Sequence, residues 1–337
     1  RGLIRSRVYR FCHPPVLCFQ LLVGCSRIFG IGMCQDLPMR LLPILFLFSM
    51  AAFAQREPLV FDINWVNPPK DPPRGVTHHV FTSAAMKKEV GFNIYLPPAY
   101  ATETSRKFPV IYWMHGAGGH ESQGVAQAAM LDKAIAAGLM PQTIMVIPNG
   151  GKRSEYRDWP AQNVMAETMI IKELIPYIDA HYRTQPAPFG RAIEGMSMGG
   201  NGSLKLALKY PEMFGSVLAV AGTYGRIRLD GYYYLGVQPE QRKWVAQLAQ
   251  WYSEDDDVFE LAKKNYNRMG HLTIRLLIGT EDVSFPDSEK LHVHLRDLGV
   301  AHEYEILLGV SHNTTQYYDR AGLHGFQFQA NGFLRVK

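Results

Sequence analysis

A mostly parallel α/β sheet covered by helices on both faces is the fold class that this 337-residue sequence predicts. Three observations predict it. From residue 77 onward, short apolar runs alternate with helical stretches at a repeating spacing. Several runs, such as "FPVIYWM" and "GSVLAVAG", are apolar throughout, as strands buried on both faces must be. The chain can also bury a sizeable core, and its 47% hydrophobic and 19% charged residues are those of a globular protein.

The elements follow in order. "VTHHVFTSA" and "EVGFNIYLP" read as two antiparallel strands leading in, and "FPVIYWMHG" as a buried strand before a helix near 124–138. "TIMVIPNG" is the next strand, and "AETMIIKELIPYIDAHY" a helix with apolar residues at helical spacing. "GRAIEG" is a strand running into "MSMGGN", with helix "GSLKLALKYP" behind it and strand "GSVLAVAG" after. Residues 222–270 interrupt the rhythm with two helical stretches and many aromatics, so a helical cap insertion is expected there. Strand "LTIRLLIG", helix "DSEKLHVHLRDLG", strand "EYEILLG" and a terminal helix complete the pattern.

Charge and cysteine usage divide the chain near residue 54. Residues 1–54 hold six of the 35 basic residues and one of the 30 acidic ones, which leaves 29 of each and no net charge in the rest. Nothing electrostatic there recommends a nucleic-acid partner. All four cysteines precede residue 35, which excludes a disulfide scaffold, a thiolate metal site and a cysteine nucleophile from the main domain. "MRLLPILFLFSMAAFAQ" from Met39 has the parts of a secretory signal: Arg40, an apolar run, and Ala52-Phe53-Ala54 as a cleavage site. Its 14 uncharged residues are few for a membrane span. The expected organisation is therefore an upstream segment at 1–38, a signal peptide at 39–54 and one domain at 55–337. The expected location is secreted or periplasmic, with no stable membrane anchor after cleavage.

In a parallel α/β sheet, ligands bind at the carboxyl ends of the strands, so the polar residues just past each strand are the candidates. Gly195-Met196-Ser197-Met198-Gly199 is a G-x-S-x-G motif between a strand and a helix, which makes Ser197 a candidate nucleophile on a sharp elbow. Asp282 follows "LTIRLLIG" and could orient a histidine, with Glu281 as the alternative. His312 follows "EYEILLG" and could act as base and then acid. His292 and His294 lie in a predicted helix, His302 at the other end of its strand, and His324 in the terminal helical region. His115-Gly116-Ala117-Gly118-Gly119 follows "FPVIYWM"; Ala117 and Met198 are the expected oxyanion N–H donors. Gly116, Gly118, Trp159 and Tyr224 are expected to contact substrate. The sequence has no G-K-[ST] of a nucleotide-binding loop, and its histidine pairs lack companions at metal-ligand spacing, so neither a cofactor nor a metal is expected.

With these stretches the sequence resembles the esterase family of α/β hydrolases that includes feruloyl and acetyl-xylan esterases, enterochelin-type esterases, S-formylglutathione hydrolases and mycolyltransferases. The matching stretches include "NIYLPPAY", "FPVIYWMHGAGG", "AIEGMSMGGNGSLKLALKYPEMFG", "LLIGTED" and "GVSHN", across about residues 77–336. The resemblance implies an α/β-hydrolase fold with Ser197, Asp282 and His312 at the triad positions and Ala117 and Met198 at the oxyanion positions. It also implies a small-molecule or polysaccharide-linked ester as substrate. "GVSHN" lacks the tryptophan that many feruloyl esterases carry soon after the histidine, which leaves the acyl group open. Acyl transfer of the mycolyltransferase type, thioester hydrolysis of the S-formylglutathione type and a silent carbohydrate-binding relative are the alternatives.

Overall fold

The computed structural model describes residues 61–224 and 251–334. The expected upstream and signal segments, and residues 225–250 of the expected cap, lie outside them.

Eight strands form one sheet. β1 (Val76–Ser83) and β2 (Lys88–Tyr95) pair antiparallel, and β2 pairs antiparallel with β4 (Ile144–Pro148). The remaining pairs are parallel and bring in β3 (Val110–Met114), β5 (Arg191–Met196), β6 (Ser216–Val220), β7 (Thr273–Gly279) and β8 (Glu303–Leu307). Their spatial order is β1-β2-β4-β3-β5-β6-β7-β8. Every residue of β3, β4, β5 and β6 is buried, because helices cover both faces and a polar side chain on either face would lose its water. β8 is one edge, where Glu303 and Glu305 pair with Arg275 of β7, a charged rim that discourages further strand addition.

The strand pleat sorts the core into two layers. Val110, Tyr112 and Met114 of β3 point into one cluster, whereas Ile111 and Trp113 point into the other. The first layer is closed by the helix at 166–181, by α3 (Met198–Lys209) and by α4 (Val258–Asn265). The second is closed by α1 (Val125–Ala136), α6 (Thr314–Ala321) and α7 (Gln327–Phe333). α2, at 166–181, is continuous, as the apolar spacing predicts, but Met169–Leu174 adopts a π turn. Pro176 has no N–H and its ring would strike the carbonyl of residue 172; the wider turn just before it relieves both.

One part of the expected cap belongs instead to the body of the domain. α4 packs on α3 and on α5 (Phe285–Asp297), and its Val258, Phe259, Leu261 and Ala262 join the first core layer. The four apolar side chains share one face at helical spacing, and that face is buried in the first core layer beside α3 and α5. Among the described residues no helix is long and apolar enough to cross a membrane.

Candidate active site

The parallel strands are in register, so their carboxyl ends form one rim. Met114 pairs with Gly195, Met196 with Val220, Val220 with Leu277, and Leu307 with Gly279. Ser197 sits on this rim between β5 and α3 at φ 62°, ψ −120°, a left-handed conformation that serine rarely adopts. Its N–H donates to Val220 O at 2.9 Å, which fixes the turn against β6. A methyl group at Gly199 would collide with the Met114 carbonyl, and one at Gly195 would stand 2.6 Å from the oxygens of Gly199 and Met114. These glycines let the elbow press against β3, which is why the motif needs them.

His312 follows β8 and reaches the elbow. Its Nε2 lies 2.8 Å from Ser197 Oγ, and its Nδ1 lies 2.9 Å from both oxygens of Asp282. The Asp282 carboxylate only accepts, so Nδ1 carries the ring proton and Nε2 accepts from the serine hydroxyl. Asp282 is buried, and burial alone would raise its pKa. The His312 hydrogen bond and charge, the Ser284 N–H at 2.7 Å and the Tyr317 hydroxyl at 2.8 Å outweigh burial and hold it below the usual carboxylate range. The Tyr317 oxygen in turn accepts from Gly279 N–H at 2.7 Å. Of the two carboxylates left open by the sequence, the one touching His312 is Asp282. Three of the other histidines are occupied elsewhere: His292 with His302 at 2.8 Å, and His294 with Phe259 O at 3.0 Å.

The loop after β3 crosses over the elbow. A methyl group added at Gly116 would come within 3.5 Å of Ser197 Cβ. Gly118 N–H donates to Lys152 O, past β4, at 2.5 Å and Gly119 N–H to Gly116 O at 3.1 Å, so both already have acceptors. That leaves the N–H groups of Gly116 and Ala117 as possible donors to an anion at Ser197. Met198 contributes its N–H from the first turn of α3, where backbone donors have no partner within the helix and the dipole is positive.

His115, which in the sequence only opens a glycine loop, is what holds that loop. It is fully buried; its Nδ1–H donates to Gly116 O at 2.9 Å and its Nε2 accepts from Gly150 N–H at 3.0 Å. The Tyr156 hydroxyl donates to its carbonyl at 2.8 Å. Lys205 of α3, also fully buried, donates Nζ to the carbonyls of Tyr156 (2.6 Å) and Glu155 (3.0 Å) and faces Asp256 at 3.5 Å. Two adjacent residues with positive φ, Glu155 and Tyr156, are thus clamped from below.

Two residues expected to meet substrate are buried among protein neighbours. Trp159 is 2% exposed: its indole N–H donates to Ser154 O at 2.7 Å and its ring is covered by Arg157, Phe61 and Trp251. Tyr224 is 5% exposed and packs on Gly222 within the core. Large aromatics gain most from burial, and both rings found that burial locally. Of the other pair, Gly116 faces Ser197, and Gly118 borders a cleft of about 450 Å³ lined by Phe61, Asp62, Ile63, Lys152 and Arg153.

A second buried acid lies three residues before Ser197. Burial raises the Glu194 carboxyl from its ordinary 4.5 to about 7, and hydrogen bonds from Gln329 and Tyr318 only partly offset this. The folded chain therefore keeps a proton that the unfolded chain releases between about pH 4.5 and 7. Stability from this group is full below that window and declines through it by about 1.4 kcal/mol per pH unit, roughly 3 kcal/mol in all. His115 has the opposite sign: burial lowers its pKa to about 4, so its contribution is lost as pH falls from 6.5. The two slopes oppose one another in the wild type. Urea titrations should therefore show Glu194→Gln gaining on the wild type by roughly 3 kcal/mol between pH 4 and 8. A difference that does not change with pH would contradict the assignment.

Comparison with known proteins decides the family. The Esterase family model matches residues 83–328. The chain belongs to the Esterase family. Among curated relatives of this esterase-family chain, Esterase MT1326 of Mycobacterium tuberculosis is 33% identical over 166 residues, 48% of this chain and 35% of that protein. An endo-1,4-beta-xylanase/feruloyl esterase of Xylanibacter ruminicola is 34% identical over 155 residues, 43% of this chain and 21% of its own. Rat S-formylglutathione hydrolase is 29% identical over 189 residues, 49% of this chain and 64% of the enzyme. The chain thus spans about a third of the mycobacterial esterase and a fifth of the bifunctional xylanase. Among solved structures, a ferulic acid esterase superposes with a TM-score of 0.65 at 21% identity, covering 77% of this chain and 98% of its own. S-formylglutathione hydrolase FrmB from Staphylococcus aureus superposes with 0.62 at 16% identity, covering 76% and 98%. At those identities the likeness is one of fold: the α/β-hydrolase fold with its mostly parallel central sheet.

Proposed function

We propose that this esterase-family protein is a serine carboxylic-ester hydrolase that works through an acyl-enzyme on Ser197. The observation that carries the reading is the unbroken hydrogen-bonded line from Ser197 Oγ through His312 to Asp282. Ser197 Oγ attacks the ester carbonyl carbon while His312 Nε2 takes its proton. The negative oxygen of the tetrahedral intermediate accepts from the N–H groups of Met198 and Ala117, each such donor being worth about 3–4 kcal/mol to the transition state. His312 returns the proton to the departing alcohol oxygen. A water molecule, deprotonated by His312, then attacks the acyl carbon; Ser197 regains its proton as the acid leaves.

The substrate class in this reading is an acylated carbohydrate or a small acyl ester. Support comes from the feruloyl-esterase module among the relatives and from the signal-like segment at 39–54, which also underlies the reading of a secreted or periplasmic protein. The cleft beside Gly118 gives one side of the ester a place next to the oxyanion loop. A panel of p-nitrophenyl acetate and butyrate, methyl ferulate, acetylated xylan and S-formylglutathione tests it. Turnover of the oxygen esters ahead of the thioester is expected. Thioester turnover alone would place the chain with the S-formylglutathione hydrolases, and no turnover of any of them would refute the reading.

A further inference from the structure

One buried hydroxyl joins the three segments that must be aligned for acyl transfer. Tyr318 lies on α6, six residues after His312. Its oxygen accepts from Trp113 Nε1–H at 2.7 Å, and its proton goes to Glu194 Oε1 at 3.1 Å. The direction follows from chemistry: an indole N–H can only donate, so the phenol accepts there and has one proton left to give. Trp113 stands on β3, three residues before Gly116 of the oxyanion loop. Glu194 stands on β5, three residues before Ser197. The second oxygen of Glu194 accepts from Gln329 Nε2 of α7 at 3.3 Å, and Gln329 Oε1 accepts from the Ser216 hydroxyl of β6. Its neighbour Tyr317 meanwhile holds the triad acid.

We propose that Tyr318 is a positioning residue for ester turnover, its hydroxyl setting the spacing of the Ser197 strand, the oxyanion-loop strand and the His312 segment through Glu194 and Trp113. The proposal rests on the serine-hydrolase reading above. Both capacities of this one hydroxyl are committed at right places and in a dry site, so the three segments move together or not at all. The Ser197 elbow is backbone-strained and needs support from outside its own turn, which a bridge through β5 supplies. A phenylalanine in this position would keep the packing and lose the bridge.

The test compares kcat and KM on p-nitrophenyl acetate at pH 8, well below the melting temperature. Because angstrom-scale misplacement near the chemistry costs up to about 100-fold, Tyr318→Phe should lower kcat by roughly 10- to 100-fold and leave KM within about twofold. Glu194→Leu, which removes the acceptor at similar volume, should do the same, and Glu194→Gln, which keeps an acceptor oxygen, should recover most of the loss. The Tyr318→Phe/Glu194→Leu double variant should lose no more than the poorer single, since both cut the same bridge. Wild-type kcat in a folded Tyr318→Phe protein with only a lower melting temperature would overturn the proposal, as would additive losses in the double variant or no recovery with glutamine. Absence of ester turnover in the wild type would instead strike the serine-hydrolase reading itself.

Discussion

Ser197→Ala should reduce kcat for ester hydrolysis by about 10⁶-fold while the protein remains folded, because removing a nucleophile whose partners act as one unit removes nearly all of their joint effect. The expected size follows from the geometry. His312 Nε2 has Ser197 Oγ as its partner at 2.8 Å, and without that oxygen the base has no bond-forming atom to activate. Some catalysis over water, roughly 10³- to 10⁴-fold, should survive from the oxyanion donors and binding alone. The fold should be spared for a definite reason. The strain at residue 197 arises from a Cβ at φ 62°, and alanine has the same Cβ; the fixed contact of the turn is the backbone N–H to Val220 O. Steady-state kinetics together with thermal unfolding check both halves. Activity near that of the wild type would remove Ser197 from the mechanism, whatever else the site contains.

Asp282→Asn should lower kcat by about 10⁴-fold with little change in KM, since the variant holds the base in the wrong tautomer. The carboxylate accepts from three groups across its two oxygens: His312, which faces both, the Ser284 N–H and the Tyr317 hydroxyl. An amide offers one acceptor oxygen and one donor nitrogen. If the oxygen keeps Ser284, the NH₂ faces His312 Nδ1 and forces the ring proton onto Nε2, which then donates toward Ser197 and cannot take its proton. Tyr317 also loses its acceptor, because its oxygen already receives the Gly279 N–H. The pH consequence has a definite sign. The Asp282 pKa is held below its unfolded value, so its contribution to stability is complete above about pH 4 and is lost as pH falls through the folded pKa. Unfolding at acid pH should therefore be less steep in the asparagine variant. Equal kcat in variant and wild type would show that Asp282 does not orient His312 during turnover.

Much of this architecture was legible because its causes are local. Continuous apolar runs such as Val110–Met114 and Val217–Val220 have no polar face to offer water, so burial on both sides follows from the residues themselves. Gly195 and Gly199 announce a close approach of backbone to backbone, which the Met114 carbonyl turns out to make. Asp282 and His312 were findable because parallel strands gather their carboxyl ends on one rim. Trp159 and Tyr224, both buried, show the opposite case. An aromatic ring reads alike in a pocket wall and in a core, and only its neighbours, Arg157 and Ser154 for one and Gly222 for the other, separate the two. The same holds for α4, whose amphipathic spacing says that it covers something without saying what.

By itself, then, the amino-acid order determined the strand and helix succession, the elbow at Ser197 and the short set of polar residues able to meet it. Those depend on periodicity, glycine sterics and strand polarity, all carried within a few residues of each position. Tertiary structure alone decided which N–H donors remain in the loop after β3, that burial lowers the pKa of His115 beside it, and that Tyr318 joins residues 205 and 124 positions away in the chain. Hydrogen bonds between such distant groups leave no periodic trace, since each partner is an ordinary core residue until the fold removes every other partner, water included.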